Sequence, residues 1–123
     1  MTAPAWMNAV IRDFGRAAGL GDLVLNERGA AALRFETGAS LRFEYTGTEF
    51  VVAMTMPSVD LKRLLGFSHP EARFGFKVKT GVLAKTGEAV MAVRLAERNV
   101  TLPQLNAVFG VLWRLAGEMG GAA

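Results

Sequence analysis

Apolar positions along the chain change period several times, and each change marks an element. Between residues 2 and 18, Trp6, Val10 and Phe14 recur every fourth residue, and Met7 and Ile11 widen the stripe, which predicts an amphipathic helix. Pro4 suits its first turn and Gly19 the position just past its end. From Leu23 the period drops to two. Leu23, Val24 and Leu25 read as a strand that meets Ala31, Leu33 and Phe35 across a loop of Glu27, Arg28 and Gly29, setting Leu23 opposite Leu33. Leu33 and Phe35 alternate with Arg34 and Glu36, and Leu41, Phe43 and Tyr45 alternate with Arg42 and Glu44. A loop of Thr37, Gly38 and Ala39 keeps both faces pure, pairing Phe35 with Leu41 and Arg34 with Arg42. The run from Thr46 to Glu49 fits a tight turn with Gly47 leading. It sends Phe50, Val52, Met54 and Met56 to the core face and Val51, Ala53 and Thr55 to the other. That second strip is unusually apolar for an open strand and predicts a cover: a helix, a second subunit or another chain.

Pro57 and Ser58 end the strand, and Ser58 can cap a short helix through Leu65, with Leu61, Leu64 and Leu65 on its apolar side. Phe67 and His69 fall in a following loop, where His69 reads as a surface residue. A second hairpin turns at Thr86 and Gly87, pairing Val78 with Leu95, Thr80 with Val93 and Val82 with Met91; Phe74 and Phe76 extend that apolar face. The opposite face gathers Arg73, Lys77, Lys79, Arg94 and Arg98, with Lys79 opposite Arg94 and no acid nearby. The last element is a helix opened by the capping pair Thr101 and Gln104, with Pro103 in its first turn and a stripe of Leu105, Val108, Phe109, Leu112, Leu115, Ala116 and Met119. Strands joined by tight turns and bracketed by helices predict an α+β fold: an antiparallel twisted sheet with helices in the order α-β-β-β-(β)-α-β-β-α, as one domain over residues 1–123.

Composition narrows the chemistry. A chain of 123 residues with 51% hydrophobic side chains supports one core. The absence of cysteine removes disulfides, thiolate metal sites and Cys nucleophiles, and the single His69 argues against a multi-His metal site or a His-based triad. No apolar run approaches the ~20 residues of a membrane span, and the N-terminal segment has no basic start for a signal peptide, so a cytoplasmic protein is expected. Asp13, Asp22 and Asp60 have no second acid at useful spacing, and no glycine pattern forms a phosphate cradle. Glu97 is the one acid that register places on an inner face, near a strand end where a cap or ion pair is expected. No catalytic, cofactor-binding or metal-binding residue is therefore predicted. Fourteen Lys and Arg against eleven Asp and Glu give a net charge of +3, which permits an acidic partner only where the cations cluster. The cationic face of the second hairpin is expected to contact an acidic segment of a partner. A nucleic-acid module is the alternative; it is disfavoured because Phe74 and Phe76 point away from the cations, whereas nucleic-acid sheets interleave the two.

The run Phe14 and Gly15, Gly19 and Leu20, Leu23 through Gly29, then Leu33, Arg34 and Phe35 resembles the opening of class I type III secretion chaperones, the Tir-chaperone or CesT-like family. The second half is similar too: a Leu-rich short helix after a proline, the strand Val90 through Leu95, and a final helix from near Leu102 and Pro103 to Trp113 and Leu115. The resemblance covers nearly the whole chain and implies a non-enzymatic cytosolic homodimer. Such a dimer uses no nucleotide and holds an effector's N-terminal chaperone-binding segment in extended form, competent for secretion. By position it implies a dimer seam of Leu61, Leu64, Leu65 and Phe67, and client contacts at Trp6, Val10, Val51, Ala53 and Thr55. A regulator of the YbjN-like type, with the same fold and no secretion role, is the other family-level expectation.

Overall fold

The computed structural model describes residues 2–36, 38–56, 78–82 and 88–119. The expected short helix after Ser58, with Leu61, Leu64, Leu65 and Phe67, lies outside them, as do His69, Arg73, Phe74, Phe76, Lys77 and the Thr86–Gly87 turn. Helix α1 spans Ala5–Ala17; strands β1 (Ala30–Arg34), β2 (Ser40–Tyr45), β3 (Glu49–Met56), β4 (Lys79–Val82) and β5 (Ala89–Ala96) follow, then a 3-10 turn Glu97–Asn99 and helix α2, Leu102–Met119. The strands form one sheet in the order β1-β2-β3-β5-β4, antiparallel throughout.

Alternation decides which residues enter the core. Leu41, Phe43 and Tyr45 of β2, Phe50, Val52, Met54 and Met56 of β3, and Met91, Val93 and Leu95 of β5 are buried on one face. Both helices cover that face. α1 contributes Met7, Ile11 and Phe14, and α2 contributes Leu105, Val108, Leu112 and Leu115, at the spacings their sequences predict. Rings link the layers: Phe14 stands edge-on to Phe43 at 5.8 Å and to Phe109 at 5.7 Å, and Phe43 stacks on Phe50 at 5.8 Å. The Thr101 hydroxyl accepts from the Gln104 N–H at 3.3 Å, capping α2 as its sequence signals. The turn at Gly47 also forms as expected, with Thr46 N–H donating to the Glu49 carbonyl and Tyr45 opposite Phe50.

Three expectations are corrected. Leu23, Val24 and Leu25 form no strand, although Asn26 does meet Ala30 across Glu27, Arg28 and Gly29. The segment instead fastens to α1, because the Asn8 side-chain carbonyl accepts the Leu25 N–H at 2.9 Å. Gly15 lets it lie close: a Cβ there would stand 2.5 Å from the Gly21 carbonyl oxygen and 3.0 Å from Leu23 Cγ. The β1–β2 pairing is shifted by two residues from the expected register. Leu33 faces Leu41 and Arg34 faces Ser40, while Phe35 N–H donates to the Ala39 carbonyl. Gly38 takes the left-handed conformation, at φ 92°, and Ala39 pairs with Phe35 instead of lying in the loop. The β4–β5 pairing is shifted by two as well, with Thr80 opposite Met91 and Val82 opposite Ala89. A shift of two preserves parity, so the face assignments survive while the neighbours change.

Candidate functional site

The helices leave the other face of the sheet open among the described elements, and register orders its residues. One row runs Ala32, Arg42, Ala53, Ala92, Lys79; the next runs Arg34, Ser40, Thr55, Val90, Gly81. Small side chains dominate the middle of both rows, so the surface has low relief. Arg42, Glu44, Val51, Ala53, Thr55 and Val90 line a shallow groove of about 140 Å³ there. Val51 and Ala53 are half-buried, and Thr55 is buried in its floor.

The sheet has a second open feature at its β1 edge. Tyr45 N–H donates to the Gly29 carbonyl and Phe35 N–H to the Ala39 carbonyl, both at 2.8 Å. Alternation in an antiparallel ladder then turns the polar groups of Ala31 and Leu33 toward β2 and those of Ala30, Ala32 and Arg34 outward. Asn26 occupies Ala30 on both sides: its backbone N–H donates to the Ala30 carbonyl at 2.8 Å, and its side-chain oxygen accepts the Ala30 N–H at 3.1 Å. Ala32 and Arg34 keep theirs outward, with no partner among the described residues, and both side chains are exposed. On the core side of this edge lies an aromatic ledge. Phe35 meets Trp113 edge-on at 5.0 Å, Phe109 lies 5.7 Å from Trp113, and Trp113 is 47% exposed.

No known family profile matches the sequence, and no curated protein does. Solved structures match throughout. A chain of the ExsC–ExsE complex superposes with a TM-score of 0.77 at 19% identity, covering 94% of this chain and 92% of that one. The Yersinia pestis type III secretion chaperone SycH, in complex with a stable fragment of YscM2, gives 0.70 at 16% identity, covering 92% of this chain and 98% of that one. The HopA1–SchA chaperone–effector complex gives 0.66 at 18% identity, covering 89% of each chain. This is the fold of the class I type III secretion chaperones.

Within the secretion-chaperone fold, the client-contact residues expected from sequence divide between two surfaces. Val51, Ala53 and Thr55 share the groove. Val10 packs half-buried against the core, and Trp6, 46% exposed, sits on α1 in the helical layer on the far side of the sheet. Of the expected cationic face, Lys79, Arg94 and Arg98 lie among the described residues, and they are arranged differently from the expectation. Lys79 stands opposite Ala92, not Arg94, because of the two-residue register shift. Arg94 stands opposite Val51, and its Nη1 donates to Glu49 Oε1 at 3.2 Å, so an acid does offset it. Arg98 leaves the strand altogether: β5 ends at Ala96 and Arg98 belongs to the 3-10 turn. The described residues therefore give no band of crowded cations.

Glu97 finds a neutral partner. The Tyr45 hydroxyl donates to Glu97 Oε1 at 2.9 Å, and it also lies 3.1 Å from the Gly47 carbonyl. The hydrogen bond to Glu97 raises the phenol above its ordinary 10.0, helped by burial and by the carboxylate's charge. This pair ties the β2–β3 turn to the end of β5, and neither residue lines the groove of Val51, Ala53 and Thr55. Among the described residues no group of three or more His, Cys, Asp or Glu could hold a metal ion, and no helix is long and apolar enough to cross a membrane.

The β1 edge was not among the residues singled out from sequence. Its alanines carry no chemistry of their own, and the expected first hairpin placed Leu23 and Leu25 beside them. The one signal present was Asn26, a residue type that bonds its own backbone across a turn and closes a strand pair early.

Proposed function

We propose that this protein is a type III secretion chaperone that binds the N-terminal segment of an effector as an extended chain and keeps it competent for secretion. The reading rests on a β1 edge that no described residue covers, in a fold shared with chaperones captured beside their partners. An extended chain can add to such an edge through main-chain hydrogen bonds, which demand little of its sequence, while alternate side chains supply selectivity. The groove of Val51, Ala53 and Thr55, together with Trp6 and Val10, supplies further apolar contact for a chain long enough to wrap the domain. The work is binding, without catalysis, nucleotide, metal or cofactor, and it is done in the cytoplasm. The protein acts as a homodimer, with a seam of Leu61, Leu64, Leu65 and Phe67.

The test is co-expression with the products of neighbouring genes, followed by limited proteolysis of any stable complex. The reading requires one partner whose N-terminal segment is cut readily when alone, is protected in the complex and never becomes a folded domain. Capture of folded domains alone would overturn it. Light scattering after gel filtration tests the dimer, and a monomer at tens of micromolar, by order of magnitude for a stable interface, would contradict it.

A further inference from the structure

The β1 edge differs on its two flanks, and the difference specifies what it takes. We propose that the edge selects an extended segment in which large apolar and acidic residues alternate, with one apolar side chain anchored on Trp113, Phe35 and Phe109. This deepens the chaperone reading and rests on it for the claim that the edge is occupied.

The core-side flank is apolar. A strand added beside β1 would set every second side chain next to Leu33 and Phe35, below the exposed ring of Trp113. Trp113 already has ring contacts with Phe35 and Phe109, so it is held at low conformational freedom, and burying its open face adds contact at small ordering cost. The outer flank is cationic. Arg34 projects from the free stretch itself, and Arg42 stands directly behind Ala32, whose methyl group leaves the guanidinium room to reach over it. Neither arginine makes an ion pair with a described residue, and both are exposed. Glu44 lies behind Ala30, at the end that Asn26 already closes, and the exposed Glu36 lies past the end of β1, so the stretch between them, where a strand can add, presents Arg34 and Arg42. Side chains on that flank of the incoming strand meet positive charge and favour Asp or Glu.

The probe is a synthetic peptide of about nine residues, the upper range of strand length, with Leu and Glu alternating. It is titrated by calorimetry into the full chain, and by fluorescence into the Trp6→Phe variant, where Trp113 is the sole tryptophan. Binding should shift Trp113 emission to the blue. A Leu/Lys peptide of the same pattern should bind about tenfold more weakly at low salt, converging at high salt. Trp113→Ala should weaken the Leu/Glu peptide about tenfold or more, the scale of a buried aromatic anchor. Ala32→Pro removes an outward N–H and spares the β1–β2 ladder, so it should abolish strand addition while the melting curve stays close to wild type. Arg34→Glu provides a second variant that touches no ladder bond and should invert the preference between the two peptides. Equal affinity for the two peptides, or unchanged affinity in both Ala32→Pro and Trp113→Ala, would overturn the proposal. Loss of peptide selectivity alongside intact effector capture refutes this inference alone; selective peptide binding without any captured effector refutes the secretion role instead.

Discussion

Replacing Asn8 with alanine should destabilise the fold by about 2 kcal/mol, although Asn8 lies in neither the sheet nor the core. Its side-chain oxygen is the acceptor for Leu25 N–H at 2.9 Å, in a part-buried bond, and Leu25 itself is 4% exposed, so truncating Asn8 leaves that N–H with poor access to water. An orphaned buried donor costs roughly 1–3 kcal/mol, more than the net value of the bond when made. Unfolding entropy of ~2.1 cal/mol/K per residue, taken over this chain, converts 2 kcal/mol into a fall of about 8 °C in Tm. Asn8→Asp keeps an acceptor in the same place and puts negative charge in the first turn of α1, where the helix dipole favours it, so it should stay within about 0.5 kcal/mol of wild type. Urea unfolding of the three proteins at one fixed concentration measures the differences, and amide exchange at Leu25 should accelerate in Asn8→Ala alone. If Asn8→Ala unfolds within about 0.5 kcal/mol of wild type, or if Asn8→Asp is as damaging, the fastening of residues 23–25 to α1 has been misread.

Gly15→Ala should cost roughly 1–3 kcal/mol by overpacking against the Gly21 carbonyl and Leu23, read as a lower urea midpoint with unchanged slope. Tyr45 is the only tyrosine, so absorbance at ~295 nm titrates it alone; its phenol should ionise above the ordinary 10.0. Because that folded-state value is raised, its contribution to stability is complete below the unfolded value and is lost as pH climbs through the folded one, so stability should decline in strong alkali and less so in Tyr45→Phe. Arg94→Gln should change stability by less than about 1 kcal/mol, because its ion pair with Glu49 is exposed and screened; urea unfolding in low and high salt would reveal a larger role.

Faces were legible in the sequence and neighbours were not. The alternation of Leu41, Phe43 and Tyr45 with Arg42 and Glu44, and of Phe50, Val52 and Met54 with Val51 and Ala53, carries the burial pattern directly, and the short turn at Gly47 leaves one register open between β2 and β3. At Gly38 the same parity holds for two registers, and only the left-handed glycine's place in the loop separates them. On β4 parity again allows both registers, and the two-residue difference carried the Lys79–Arg94 pairing with it. Leu23 and Leu25 alternate like a strand because one side of the segment packs on α1, while the bond that denies it a place in the sheet comes from a side chain on a helix many residues earlier. Periodicity reports burial, and hydrogen-bond partners have to be found in space. The groove was legible through its apolar strip, whereas the free edge depends on which way Ala32 and Arg34 turn their amides, a consequence of the register that parity leaves undecided.

Amide hydrogen exchange on the free protein and on its complex with a captured effector tests the central claim most directly. The Ala32 and Arg34 amides should exchange freely in the unbound protein and become protected in the complex, with the effector's own protection confined to a short extended segment. Unchanged exchange at both amides in a stable complex would contradict it.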